Sequence, residues 1–299
     1  MAEDGKPDDT TIVHADFEED VRRQLLWWIA ENDVKISAEA DLRDVCEAFL
    51  HLADKVPDPR PRQVHVSRKL QTRVSLLAAD LQTALNHVTS MLKTGADLRP
   101  ILSTRATEPD DWDKLLSQWA VHHLHLRAPL NSSGDLTPRR GELLFAMFKG
   151  DDVFLIDVMN HRSFLKLELL EVLRANWPHL VEIESALLPG NLLTETERAA
   201  VRKKNGNEVV TFRDGAVALP PGSGTMASGL PVDVIVSSAR LLYWVRETQA
   251  GCLRNSSKIR LVVRVQTGKD VAELRLHLNV GSRVVVETTS GYAFPAGSW

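Results

Sequence analysis

The chain has 299 residues, of which 43% are hydrophobic and 25% charged, as in an ordinary globular protein. Its formal net charge of −4 argues against a protein whose whole surface is basic and binds nucleic acid, although a local basic patch is compatible with that charge. Its two cysteines, Cys46 and Cys252, have no cysteine nearby, which excludes a disulfide scaffold or a cysteine zinc site and predicts a cytoplasmic location. No run of about 18 apolar residues occurs, and the polar, acidic N-terminus predicts no signal peptide, so we expect no membrane partner.

Helical patterns fill the first third of the chain. Apolar residues spaced by four and three predict a helix from Asp16 to Glu31 with Asp16 as its N-cap, and Ser37 can cap a second helix that ends near Lys55. The prolines of residues 57–61 then predict an extended connection.

The longest helical pattern runs from residue 68 to residue 94 and is stopped by Gly95. Its apolar positions alternate in spacings of four and three, as in a heptad repeat. The pattern predicts one long helix that packs in an N-terminal helical bundle, residues 1–98. The same spacing would also suit a coiled coil through which the protein forms a homo-oligomer.

Strand patterns dominate the middle of the chain. A short helix, Asp111–Trp119, leads into a histidine-rich strand, Val121–Leu126. Two apolar runs, Glu142–Lys149 and Val153–Met159, flank a Gly-Asp turn and predict a hairpin whose strands are covered on both faces. With an amphipathic helix at residues 163–177, this pattern predicts a small mixed sheet with helices, an α+β domain over residues 99–189.

The first part of the last third mixes a helix with short strands. Thr194 and Glu197 form a capping box that begins a helix. Its basic end, residues 198–204, could contact nucleic acid, but a charged helix end that complements the helix dipole is the simpler interpretation. Asp214-Gly215 predicts a second hairpin. The glycine-rich loop at residues 220–229 matches no phosphate-binding motif, which favours a flexible connection.

The helix and strands predicted after residue 230 complete the predicted fold. Pro231 suits the first turn of a helix, and three strands are predicted at residues 259–265, 271–278 and 282–288. Residues 190–299 are therefore expected to form an α+β domain that ends in an antiparallel sheet. The predicted fold class of the whole chain is α+β.

The histidine-rich strand carries the candidate acid–base residues. Alternate side chains of a strand share a face, so His123 and His125 point the same way, about 7 Å apart, while His122 faces the other side. Imidazole transfers protons near neutral pH or binds a metal in its neutral form. Asn160 and His161 follow the end of a buried strand, a common place for functional side chains. We expect His123, His125 and His161 to converge.

Arginines near these histidines are candidate phosphate ligands, since a guanidinium offers a planar fork to a phosphate. With a base, an acid and a guanidinium, the set has what phosphodiester cleavage needs without a metal or another cofactor. The predicted catalytic residues are His123, His125, Arg140 and His161, and the predicted phosphate-binding residues are Arg139, Arg140 and Arg162.

Arg140 opens an apolar strand, a Gly-Asp-Asp turn follows, and the second strand ends in the pair His161-Arg162. In this order residues 139–162 resemble the core hairpin of RelE/ParE-type bacterial toxins. The resemblance implies a small sheet with RNA-cleaving acid–base residues, or a related inert scaffold. The first of these implications predicts a nuclease of toxin or phage-defence type. Its partners would be RNA or DNA, with an antitoxin on the helix at residues 68–94. The run HHLHL at residues 122–126 is also similar to a motif of a bacterial family.

Three other interpretations stay open. His123, His125 and His161, completed by Asp157 or a water, could hold a divalent metal in a metal-dependent phosphoesterase. The order His161-Arg-Ser163 is one motif of phosphoesterases with two histidine motifs. The third interpretation is a non-enzymatic helical adaptor or oligomerisation protein with structural histidines. In the metal-free case, Asp157 would orient a histidine or pair with an arginine.

Overall fold

The computed structural model describes residues 14–37, 39–108, 111–126, 141–187, 189–268, 273–279, 282–288, 291 and 293–295. The fold is α+β, as the sequence predicts. The chain forms two compact units: the first takes the chain up to Phe49 and again from Val236, and the second comprises Leu50–Ile235. The domain bounds drawn at residues 98 and 189 stay predictions.

Helices and strands alternate along the described residues, and none of the helices there is long and apolar enough to cross a membrane. The helices are α1 (Phe17–Glu31), α2 (Leu42–Lys55), α3 (Arg68–Val74), α4 (Ala79–Thr94), α5 (Lys114–Trp119), α6 (Glu168–Asn176), α7 (Glu195–Lys203), α8 (Val232–Arg254) and α9 (Ser256–Thr267). The strands are β1 (His14–Ala15), β2 (Gln63–Val66), β3 (Val121–His125), β4 (Glu142–Lys149), β5 (Asp152–Asn160), β6 (Val210–Thr211), β7 (Val217–Ala218), β8 (Glu273–Asn279), β9 (Ser282–Glu287) and β10 (Ala293–Pro295).

The first unit pairs α1 with a sheet of order β1-β8-β9-β10. Asp16 caps α1 as predicted and accepts the N–H of Glu19 at 3.1 Å. Buried Asp20 of α1 accepts the N–H of Leu276 and pairs with Arg275, so the sheet edge and the helix satisfy each other's polar groups. The predicted cap at Ser37 is wrong, since α2 begins only at Leu42.

The predicted strand at residues 259–265 is also wrong, because this segment lies inside α9. Its β-branched residues are typical of strands. Only Val263 of the helix is buried, and Gly268 ends the helix in a left-handed conformation (φ 72°) in which its N–H reaches the carbonyl of Arg264. A glycine cap just past the segment thus outweighs the strand propensity.

The second unit is built on a sheet of order β2-β5-β4-β3, in which β2 runs parallel to β5 and the other pairs are antiparallel. Both faces of the β4–β5 hairpin are covered, as predicted: α5 and α6 contribute to one apolar core, and α3 and α4 to the other. β2 follows the proline-rich connection of residues 57–61, and the sequence analysis did not predict it. It adds a fourth strand through the register Gln63 to Asp152.

The single helix predicted over residues 68–94 is wrong. Ser75 ends α3, and α4 begins only at Ala79, with Leu76 between them 83% exposed. Leu70 of α3 and Leu81 of α4 lie in the same apolar core against the sheet, so the heptad-like spacing reflects two helices that share one core. A coiled coil over the whole stretch needs a continuous helix. Because the helix is interrupted between α3 and α4, the coiled-coil interpretation of residues 68–94 is wrong as well.

The glycine-rich loop at residues 220–229 is anchored to the fold and is not the flexible connection that the sequence favours. The N–H groups of Gly222 and Gly224 donate to carbonyls of α5. The side chain of Asn207 both accepts from and donates to the backbone of Thr225, at 2.7 and 2.8 Å. A methyl group on Gly222 would lie 2.5 Å from the carbonyl oxygen of Ser117, so the loop packs there only as glycine.

Candidate functional site

A cleft of about 490 Å³ lies beside β3, the last strand in the order of the second unit's sheet. We call it the histidine cleft, because His122, His123, His125 and His161 all line it. Phe164 lines it too, and its ring meets the rings of His123 and His161 at centroid distances of 4.9 and 5.9 Å.

The sheet register brings three of these histidines together. His125 on β3 pairs with Leu143 on β4, and Leu143 pairs in turn with Met159 on β5, so β3 and β5 end at the same edge of the sheet. The ring centroids of His125 and His161 are 5.5 Å apart, and those of His123 and His125 are 6.3 Å apart. His125 is buried, whereas His161 is exposed at the cleft's rim.

Asp113 lies beside His123 and is a residue that the sequence analysis missed. One of its carboxylate oxygens caps α5 and accepts the N–H groups of Leu115 and Leu116 at 2.9 and 3.1 Å. The other oxygen lies 3.2 Å from Nδ1 of His123, within ion-pair distance but not aligned as a hydrogen bond. Such bonds often align only when a ligand is bound.

The carboxylate of Asp113 is held in its charged form. Burial raises the pKa of Asp113, but the contact with His123 and the N–H of Leu116 outweigh burial, so its pKa lies below the usual value. An ionised carboxylate at Nδ1 favours the tautomer of His123 that carries its proton there, which leaves Nε2 as the basic nitrogen.

His122 takes no part in this cluster, although it lines the cleft. It faces the opposite side of β3, where Nε2 lies 2.9 Å from the carbonyl oxygen of Asp54 and the ring meets Phe148 edge-on. Burial lowers the pKa of His122 to about 4, so it is neutral at physiological pH. The alternation predicted from the sequence therefore holds: His122 packs on one face, and His123 and His125 point to the other.

Lys55 builds the wall of the cleft opposite β3. It is buried, and its Nζ donates to the carbonyls of Arg105, Glu108 and Asp111 at 2.8–3.0 Å. These three bonds use all the donors of an ammonium group. Lys55 therefore fixes the connection between α4 and α5 and has no proton left for a ligand.

Of the three arginines predicted to bind phosphate, the structure describes only Arg162. Arg139 and Arg140 lie outside the described residues. Arg162 is exposed and is not among the lining residues of the cleft. Arg202 of α7, which belongs to the basic helix end noted in the sequence, lines the cleft and is 6% exposed.

Arg198, at the same basic helix end, is buried as well. Arg198 is 1% exposed and forms a bidentate ion pair with Glu208 at 2.7 and 2.8 Å. Both guanidinium groups stack on the indole of Trp119, at 5.4 Å for Arg198 and 4.4 Å for Arg202. The sequence contained a signal for this shared packing, because the four-residue spacing of Arg198 and Arg202 places both side chains on one face of the helix.

Asp157, the carboxylate offered for a metal site or for orienting a histidine, does not line the cleft. It is fully buried, with Lys69 at 2.9 Å and Arg73 at 3.3 Å, both from α3. It therefore pairs with basic side chains, one of the two roles expected for it. Within the described residues, no three histidine, cysteine or carboxylate side chains are placed to hold a metal ion.

Comparisons of the chain with protein-family models, with curated proteins and with solved structures find no match. The chemistry of the site therefore has to be argued from its own residues. These are an Asp–His pair, two further histidines within ring contact, and a buried guanidinium on the same cleft wall as Phe164.

Proposed function

We propose that this protein is a metal-independent phosphodiesterase of the nuclease class, acting in a toxin or defence system. One observation carries the proposal: the Asp113–His123 pair opens on the same cleft as His125 and His161. A histidine oriented by a carboxylate serves as a general base, and a second histidine nearby serves as a general acid.

In this mechanism Nε2 of His123 takes the proton of the attacking hydroxyl, either the 2′-hydroxyl of RNA or a water. The new P–O bond forms as the bond to the leaving oxygen breaks, and His161 gives its proton to that oxygen. Exposed His161 suits the role of acid because it meets the substrate at the cleft's rim. Buried His125 lies between the two rings and holds their spacing.

Phosphate binding needs cations near the reacting group. Arg139, Arg140 and Arg162 keep this role in the proposal on the strength of the sequence. The described lining of the cleft supports it independently, since its ionised side chains comprise four cations and two carboxylates in a protein whose net charge is negative.

The test is cleavage of labelled RNA and DNA by purified protein. We expect the wild type to degrade one of them and the double variant His123→Ala/His125→Ala to lose at least about a hundredfold in rate. His179→Ala is the matched control, because His179 is exposed in the turn Pro178–Leu180 and does not line the cleft. Equal rates for the wild type and the double variant would refute the proposal.

Two further measurements separate the alternatives. Elemental analysis of purified protein would favour the metal-dependent phosphoesterase if a stoichiometric metal is present and lost in the double variant. Expression in bacteria of the wild type and the double variant would favour the non-enzymatic adaptor if growth is the same and no nucleic acid is degraded.

A further inference from the structure

The guanidinium of Arg202 has one nitrogen without a hydrogen-bond partner among the described residues. Its Nε donates to the side-chain oxygen of Gln118 at 2.8 Å, and its Nη1 donates to the carbonyl of Phe164 at 2.9 Å. Nη2 is buried and makes no hydrogen bond there. A buried polar group left unpaired is costly, and in a native protein it calls for an explanation.

Arg198 provides the comparison within the same helix. It stacks on the same indole and is equally buried, yet Glu208, Leu165 and Leu193 accept from all three of its guanidinium nitrogens. The two arginines, one helical turn apart, therefore differ in their partners. Every guanidinium nitrogen of Arg198 donates within the fold, and two of them donate to the carboxylate of Glu208, whereas Nη2 of Arg202, which lines the cleft, makes no hydrogen bond among the described residues.

The position of Arg202 links it to the histidines. The residue that accepts from its Nη1 is Phe164, whose ring contacts both His123 and His161. The charge of Arg202 also persists at neutral pH, although burial lowers its pKa to about 10. A fixed positive charge thus lies in the wall from which the acid–base residues project.

The surrounding charges favour an anion over a cation. Of the four lining cations, Lys55 is saturated by carbonyls and Arg105 lies 3.8 Å from Asp111. Lys114 donates to the carbonyl of Arg202 and to the amide oxygen of Asn205, both uncharged. Glu208, which does not line the cleft, and Asp113 oppose the charge of Arg202, and each of these carboxylates already has a partner: Glu208 pairs with Arg198 and Asp113 faces His123.

We infer that Arg202 forms a phosphate-binding subsite of the histidine cleft, with Nη2 donating to an oxygen of a phosphate ester and the ammonium of Lys114 adding to the positive potential. The inference rests on the proposed function for its substrate class, but binding is measured without catalysis. The subsite gives Arg202 of α7 the phosphate-binding role that the sequence analysis predicted for Arg139 and Arg140, which precede β4.

The test measures how much inorganic phosphate raises the thermal unfolding midpoint, against sodium chloride at equal ionic strength. A ligand of the folded state raises the midpoint in proportion to its affinity and concentration. We expect Arg202→Lys to weaken phosphate binding about tenfold, the loss of one hydrogen bond to a charged group. Arg198→Lys is the matched control and should keep the phosphate-induced shift, whatever its own midpoint.

Equal phosphate-induced shifts in the two variants, or no shift beyond that of sodium chloride in the wild type, would overturn the inference. If Arg202→Lys does not fold, wild-type crystals soaked in tungstate, a phosphate mimic located by anomalous scattering, decide instead. Tungstate within hydrogen-bond distance of Nη2 supports the subsite, and tungstate elsewhere or absent refutes it. Phosphate binding at Arg202 in a protein that cleaves no nucleic acid would refute the proposed function alone.

Discussion

Acid should destabilise this protein through His122, on the strand that carries the candidate site. The side chain is 9% exposed, and burial lowers its pKa from 6.5 to about 4. The hydrogen bond to the carbonyl of Asp54 and the charge of Asp113 raise that pKa, but they only partly offset burial. His123 and Arg62, the other charged or titratable neighbours, lower it further.

Proton linkage gives the sign and the size of the change in the free energy of unfolding that His122 causes. Between pH 6.5 and about 4 the unfolded chain takes up a proton at His122 that the folded protein excludes, so the free energy of unfolding falls as the pH falls. At about 1.4 kcal/mol per unit of pKa shift, the full loss is about 3 kcal/mol. His51, buried against Trp112, has its pKa lowered to about 4 as well and should add a similar loss.

Asp54 works in the opposite direction. Its side chain is exposed at the surface, but partial desolvation by its neighbours and the charge of Asp233 raise its pKa, so its contribution is present at low pH and is lost as the pH rises through that raised pKa. The wild-type curve therefore combines opposing groups, and a variant is needed to isolate His122.

The assay is urea unfolding of the wild type and His122→Gln at pH 7 and at about pH 4.5. Glutamine can still donate to the carbonyl of Asp54 but does not titrate. Between these two pH values most of the full loss has occurred, so the variant should lose about 2–2.5 kcal/mol less than the wild type. His179→Gln, at an exposed site, should behave as the wild type does. Parallel losses in the wild type and His122→Gln would refute the assignment.

Three further predictions test the site and its support. Asp113→Asn keeps a good helix cap but removes the charge beside His123, so nucleic-acid cleavage should fall at least about a hundredfold, whereas Asp97→Asn at an exposed position should not change it. Glu208→Gln leaves its arginine partner buried without a counter-charge and should lower the free energy of unfolding by about 3–5 kcal/mol in urea. Gly222→Ala should cost about 1–3 kcal/mol, because its methyl group meets backbone of α5, whereas Gly251→Ala, in open space within α8, should stabilise by about 0.5–1 kcal/mol.

Local patterns in the sequence predicted the hairpin and the face of the histidine strand. β4 has the predicted bounds, and both of its faces are covered because an uninterrupted apolar run needs cover on both sides. The period of two along β3 placed His123 and His125 on one face. These features depend only on neighbours in the chain, so the sequence contains them directly.

Asp113 could not be found in the same way. It reaches His123 because α5 turns back into β3 at Ala120, which adopts a left-handed conformation (φ 53°) that non-glycine residues rarely take. An alanine gives no sign of such a turn. The break between α3 and α4 is similar: residues 75–78 are compatible with a helix, and only the packing of both helices on one sheet separates them.

The buried arginines show most clearly why charge patterns in a sequence mislead. A basic helix end is solvated by default, and a buried guanidinium loses hydration that hydrogen bonds must replace. For Arg198 the fold supplies an acceptor to each guanidinium nitrogen, including the carboxylate of Glu208. Arg202 lines the cleft that also contains the Asp113–His123 pair, and its buried Nη2 has no hydrogen-bond partner among the described residues. A ligand oxygen that accepts from this donor would restore an interaction the empty protein lacks, so binding and stability should rise together at this residue and at no other arginine of α7.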